Sequence, residues 1–240
     1  MENFVNTLNG YIWSNALIFL ALGAGLFFSF KTRFVQIRLF KDMVRLLFSG
    51  SSSNKGISSF QALSVSLSGR VGTGNIAGVA AAIGFGGPGA VFWMWIVAFL
   101  GASTAYIEST LGQIYKEEQD GEYRGGPAYY IEKAMGAKWF AWIFAIAIIV
   151  ANGILLCGVQ ANSIGNAVEL ALGGGKTVDT FFGPLSSIKI STAIVVLILL
   201  AFIVFGGVKR IANVTQVIVP FMALAYIIIA LTIIGLNISQ

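Results

Sequence analysis

Apolar residues gather along this chain into six long stretches, about 11–30, 59–85, 89–115, 139–172, 188–205 and 214–236, parted by short polar segments. A helix rises about 1.5 Å per residue and a bilayer's hydrocarbon core is about 30 Å thick, so each stretch is compatible with one crossing. The pattern predicts an all-α, polytopic membrane protein with six transmembrane helices. No basic residue precedes Lys31, and a stop-transfer-like basic cluster follows the first stretch, which is therefore read as a retained span and not a signal peptide. The fourth stretch is too long to stand upright in lipid and is expected to tilt or project.

The second stretch breaks its own pattern. Residues 68–78 read Ser-Gly-Arg-Val-Gly-Thr-Gly-Asn-Ile-Ala-Gly, with Gly72, Gly74 and Gly78 close together. Glycine weakens a helix, and lipid tolerates freed backbone only where protein or a wet cavity covers it. Gly74 and Gly78, followed by Ala82, also form a small-residue stripe suited to close helix packing. Packing leaves unexplained the crowd of Ser64, Ser66, Ser68, Arg70, Thr73 and Asn75, each costly in hydrocarbon without a partner. A helix broken near 71–74 accounts for both. The N–H groups opening its outer half then turn partial positive charge toward the midplane and suit a carboxylate. Carbonyls ending the inner half, with Asn75 Oδ1 and hydroxyls, offer oxygens to a small cation. The segment is read as a binding site for a small polar solute or ion.

Composition narrows the chemistry. Apolar residues make up 57% of the chain and charged residues 10%, against roughly 25% charged in soluble domains. Histidine is absent and Cys157 is the only cysteine, which excludes an internal disulfide, a Cys/His zinc site and histidine base catalysis. The net charge of +5 is spread between apolar runs, so no nucleic-acid-binding patch is read from it. Lys31, Arg33, Arg38, Lys41, Arg45 and Lys55 follow the first stretch, Lys116, Arg124, Lys133 and Lys138 the third, and Lys209 and Arg210 the fifth. The opposite side holds Lys176 and Lys189. The positive-inside bias puts the three basic loops in the cytoplasm and the amino terminus outside. All five tryptophans, Trp13, Trp93, Trp95, Trp139 and Trp142, fall near span ends, as interfacial anchoring expects.

Several motifs resolve into turn chemistry. Gly86-Gly87-Pro88 turns a short outer loop, and Gly125-Gly126-Pro127 precedes 128–135, whose Tyr129, Tyr130, Ile131 and Met135 alternate with Glu132 and Lys133 as on a helix lying at the interface. Gly72 to Ala77 matches the G-x-G-x-x-A form of a dinucleotide fingerprint, but no soluble strand precedes it and the later acidic residue is missing. Gly173-Gly174-Gly175-Lys176-Thr177 ends like a phosphate loop, yet Leu170 stands where its first glycine belongs, and a flexible outer turn is expected. No nucleophile–base arrangement is visible, so an enzyme is not expected.

Arg70 and Glu108 are the charges placed well inside expected spans, and two readings stay open for them: separate snorkelling to cytoplasmic water, or an inner gate that closes when they approach. At 100° per residue Asn152, Gln160, Ser163 and Asn166 share one sector of the fourth span, either as interhelical glue or as a polar stripe facing the broken helix. Gln160 offers both donor and acceptor to a solute carboxylate or amine.

Residues 61–101, with Val71-Gly-Thr-Gly-Asn-Ile-Ala-Gly78 and Gly86-Gly-Pro-Gly-Ala-Val-Phe-Trp-Met-Trp95, together with Arg124-Gly-Gly-Pro-Ala-Tyr-Tyr-Ile-Glu-Lys133, strongly resemble the alanine or glycine:cation symporter family, over nearly the whole chain. The resemblance implies sodium-coupled uptake of alanine, glycine or a similar small amino acid on a LeuT-type fold of two inverted five-helix repeats. It implies that Thr73 and Gly74, with Gly72 beside them, hold the substrate carboxylate and that Gln160 lines the pocket. The similar Val-Gly-x-Gly-Asn run of LeuT-type transporters implies Asn75 at one sodium site and carbonyls of Ser68 and Val71 at another.

By that resemblance residues 1–56 form an extra amino-terminal helix with its basic loop, and 57–240 the first repeat with its discontinuous helix. The second repeat, which should complete each site, is not in the sequence, so the chain is expected to be a fragment inactive alone. A bias of twelve basic residues against two opposes an upside-down second copy filling that place. The alternative is a non-transporting membrane subunit or truncated partner of a full-length transporter.

Overall fold

The computed structural model describes residues 2–49, 56–119, 121–180 and 183–237. Lys55, counted above with the first basic loop, lies outside them. In chain order the helices are α1 (Glu2–Ile12), α2 (Asn15–Lys31), α3 (Val35–Arg38), α4 (Phe40–Ser49), α5 (Ser59–Arg70), α6 (Val79–Gly86), α7 (Gly89–Ile114), α8 (Pro127–Met135), α9 (Lys138–Val150), α10 (Cys157–Leu172), α11 (Ser187–Val204) and α12 (Gly207–Leu236). Two wide π-helical turns, Gly74–Gly78 and Ala151–Leu156, lead into α6 and join α9 to α10.

Five helical segments among the described residues are long and apolar enough to cross a membrane: Asn3–Lys31, Gly89–Ile114, Lys138–Leu172, Ser187–Val204 and Gly207–Leu236. The chain is a mostly helical, multi-pass membrane protein. The stretch 59–85 is not one continuous helix: α5 stops at Arg70, Val71 is extended at φ −102° and ψ 109°, and helix resumes through the wide turn before α6. Helix α12 begins at Gly207 and not at the expected 214. Its first turns carry Lys209 and Arg210, and the Arg210 guanidinium reaches back to donate to the Phe202 carbonyl at 3.0 Å and lies over the Phe202 ring, so the charge does not end the helix.

Two antiparallel hairpins depart from the all-α expectation: β1 (Glu117–Gln119) with β2 (Glu122–Arg124), and β3 (Thr177–Thr180) with β4 (Gly183–Ser186). The second begins at Thr177, the last residue of the outer turn expected at 173–177. Gly173 and Gly174 end α10 in the left-handed region, at φ 83° and 81°, with both N–H groups donating to the Glu169 carbonyl. These glycines cap a helix, and the carboxylate of Glu169 beside them is a poor companion for a phosphate.

The chain forms two compact units, Met1–Leu46 with Val79–Ala145, and Leu47–Gly78 with Ile146–Gln240. In the first, α2 packs on α7. A methyl added at Gly25 would sit 2.9 Å from Leu100 Cβ, so glycine is what allows the backbones to approach. Fully buried Ser29 and Ser103 join the two helices hydroxyl to hydroxyl at 3.1 Å, and the Ser103 oxygen lies 2.9 Å from the Gly25 carbonyl. Pro127 starts α8 after Gly126 at φ 122°, and Ile131 is its buried residue, so the surface helix expected at 128–135 is present.

In the second unit α5 packs on α12 and α10 on α11. Ser64, Ala212 and Val219 are buried. Ser58 and Gln61 form a reciprocal cap at the start of α5, and Gln61 Nε2 also donates to Asn213 Oδ1 at 2.8 Å. One glutamine therefore fixes both where α5 begins and how it meets α12.

Candidate functional site

The interruption after α5 is closed locally by the residues it contains. Gly72 N–H donates to Asn75 Oδ1 at 3.3 Å, and Asn75 N–H donates to the Gly72 carbonyl at 3.0 Å. This is half of a capping box: Asn75 stands three residues into the new helix and Gly72, at its cap position, has no side chain to return the bond. The N–H of the next residue, Thr73, is met from elsewhere in the same unit. It donates to Gln160 Oε1 at 3.2 Å. The carboxamide nitrogen of Gln160 lies over Gly72, where an added methyl would collide with it. Glycine at 72 thus makes room for Gln160, and Gln160 places an oxygen where the opening turn of a helix attracts an anion.

Gly74 differs. A methyl there would meet no described atom within 4 Å, and the same holds at Gly78. Neither glycine is crowded by a described side chain. Gly74 leaves open space beside backbone whose helix has just begun.

The structure therefore brings Gly72, Thr73, Asn75 and Gln160 together by direct contact, with Gly74 next to them. Ser68 turns its hydroxyl back to the Val65 carbonyl at 2.7 Å, and Ser64 does the same to Phe60 at 2.9 Å. Part of the polar crowding noted in the sequence is thus satisfied within α5 itself. Val71 is the extended residue of the break. Arg70 ends α5 in the second unit, and Glu108 lies on α7 in the first, where it adds to the burial that pushes the Tyr130 hydroxyl of α8 above its ordinary range.

Along the fourth span only Gln160 of the proposed polar stripe reaches the break. The wide turn at Ala151–Leu156 alters the winding between Asn152 and Gln160, so a uniform 100° per residue does not apply. The Asn152 carbonyl accepts from Cys157 Sγ, Ser163 donates back to Val159, and Asn166 borders a separate cleft with Glu169.

A cavity of about 340 Å³ lies in the first unit among β1, α8 and α9, with Glu117, Glu132, Lys133 and Trp142 in its wall. Its charges are paired, Glu132 with Lys138 outside the wall at 3.8 Å. Lys133 pairs with Glu117 at 2.7 Å, and hydrogen bonds from Lys133 and Gln119 hold the Glu117 carboxyl below the usual carboxylate range. Among the described residues no group of three or more His, Cys, Asp or Glu side chains is placed to hold a metal ion.

The sodium:alanine symporter family matches residues 1–240. A Bacillus subtilis protein, YrbD, named as a candidate sodium/proton-dependent alanine carrier, is 55% identical over all of this chain and 47% of its own length. The amino-acid carrier protein AlsT of the same organism is 45% identical over all of this chain and 49% of its own. The sodium/alanine symporter AgcS of Methanococcus maripaludis is 38% identical over 99% of this chain and 51% of its own. The chain spans about half the length of these curated relatives. No solved structure matches it. With the family matched from first residue to last, the chain belongs to the sodium:alanine symporter family, a family of transporters.

Proposed function

We propose that this chain supplies the amino-terminal half of a sodium-coupled symporter for a small neutral amino acid, alanine or glycine, in the cell membrane. The observation that carries the reading is the interrupted helix at Val71–Thr73, whose Thr73 N–H is met by the Gln160 carboxamide oxygen at 3.2 Å. A substrate carboxylate takes that oxygen's place at Thr73, approaching through the open space beside Gly74, while the displaced carboxamide turns to the substrate. Sodium, the co-substrate, is held by Asn75 Oδ1, which keeps a lone pair beyond its bond to Gly72, and by carbonyls of Ser68 and Val71.

In this reading α5 and α6 flank the break of a sixth, discontinuous crossing, 57–240 is a LeuT-type first repeat, and the amino terminus is outside. Arg70 and Glu108 act at an inner gate. The remaining half of the relatives' length, with its own repeat, completes each site. Vesicles containing a full-length protein with these 240 residues are expected to accumulate radiolabelled alanine down a sodium gradient, and vesicles containing the 240 residues alone are not. Robust sodium-driven uptake by the short chain would overturn the division of the site. Full-length uptake indifferent to sodium would overturn the coupling.

A further inference from the structure

Helix α4 has no buried side chain. At 100° per residue Phe40, Met43, Val44, Leu46, Leu47 and Phe48 cover an arc of roughly 200°, and Lys41, Asp42, Arg45 and Ser49 fill the remaining side. Phe40, Met43, Val44 and Phe48 are 60%, 48%, 44% and 77% exposed. At ten residues the helix is about 15 Å long, half of what a crossing needs. Its two faces therefore demand two environments along its length.

Its place in the chain supplies them. The crossing helix α2 ends at Lys31, and α4 starts at Phe40 after a tight turn and the short α3. That turn uses two consecutive left-handed residues other than glycine, Arg33 at φ 54° and Phe34 at φ 51°. Such backbone persists only where its surroundings fix it. Here Phe34 N–H donates to the Ser29 carbonyl at 2.7 Å, the Phe30 and Phe34 rings meet edge to face at 5.2 Å, and Gln36 Nε2 donates to buried Ser29 at 3.0 Å. The exit from the span is held in one direction, and α4 follows within nine residues of the span's end. Over that stretch Lys31, Arg33, Arg38, Lys41 and Arg45 face one acid, Asp42, which pairs with Arg45 at 2.7 Å.

We propose that α4 lies in the headgroup layer of the bilayer and binds anionic phospholipid, with its apolar arc at the acyl boundary and its basic side on the phosphates. Basic residues beside a span and on an amphipathic helix attract anionic lipid, and the apolar arc alone explains no preference for charge. A second copy docked on this face would bring two cationic strips together, which charge repulsion opposes.

The test uses the chain in nanodiscs of phosphatidylcholine alone or with about one third phosphatidylglycerol, and reads amide hydrogen exchange across 40–49. Both leaflets are alike, so the result does not depend on the chain's orientation or on transport. Exchange is expected to be at least about tenfold slower with phosphatidylglycerol. A Lys41→Glu, Arg45→Glu double variant should lose that dependence on lipid charge, while Val44→Asp should lose protection in both lipids, each with exchange in α2 and α7 unchanged. Equal exchange in both lipids overturns the proposal. So does protection that follows protein concentration, which marks a second copy, or protection that appears only in the full-length protein whatever the lipid charge.

Discussion

Gly74→Val is expected to abolish high-affinity alanine binding in a full-length symporter carrying these residues, by at least about 100-fold or ~2.7 kcal/mol, while the helices stay folded. A methyl at 74 meets no described atom outside its own turn within 4 Å, and the residue is not in the left-handed region, so the resting backbone leaves room for a side chain there. Valine is a somewhat better helix former than glycine, so helix propensity gives no reason for the turn to unfold. What the isopropyl group fills is the space proposed above as the ligand's way to the N–H groups that open the helix. Gly72→Ala is a less clean test because its methyl collides with Gln160 and disturbs the clamp directly. Equilibrium alanine binding, with thermal unfolding as the folding control, checks the prediction, and unchanged affinity in a folded Gly74→Val protein would count against this site.

Gln160→Glu should do more harm than Gln160→Leu, although it is nearly the same shape. The new carboxylate can still accept from Thr73 N–H, now as an ionised and stronger acceptor, at the position proposed for the substrate's own carboxylate. Two like charges about 4 Å apart at an effective dielectric constant of about 20 repel by about 4 kcal/mol, close to a thousandfold in affinity. Leucine only removes a neutral hydrogen bond, worth about 1 kcal/mol, or about fivefold. Alanine titrations of the two variants separate the cases. Equal, small effects would show that Gln160 braces helices and does not stand where the ligand's carboxylate goes.

The break itself was legible because its cause is local: three glycines and a proline-free polar run in a segment that lipid would otherwise keep helical. The long apolar helices were legible for the same reason, since hydropathy needs no partner. The bond between Thr73 and Gln160 joins residues far apart in sequence, and helical phase could offer Gln160 only as one of four stripe residues. The wide turn at Ala151–Leu156 takes Asn152 out of phase with Gln160, while Ser163 and Asn166 share α10 with Gln160 and lie about one and two turns farther along. The sequence of that wide turn, Ala-Asn-Gly-Ile-Leu-Leu, contains no proline to announce a change of winding. The hairpins at 117–124 and 177–186 were missed because strands of three or four residues carry almost no periodicity. Helix α4 had a readable amphipathic pattern, but its lysines and arginines were weighed only as topological charge.

The claim on which the rest depends is that backbone N–H groups at the interruption grip the amino acid's carboxylate. Amide hydrogen exchange at Thr73 and Gly74, followed in a full-length protein carrying these residues, tests it most directly. Exchange at both positions should slow at least about tenfold when alanine and sodium are present together, and much less with either alone. Unchanged exchange at both amides under saturating alanine and sodium would contradict the account.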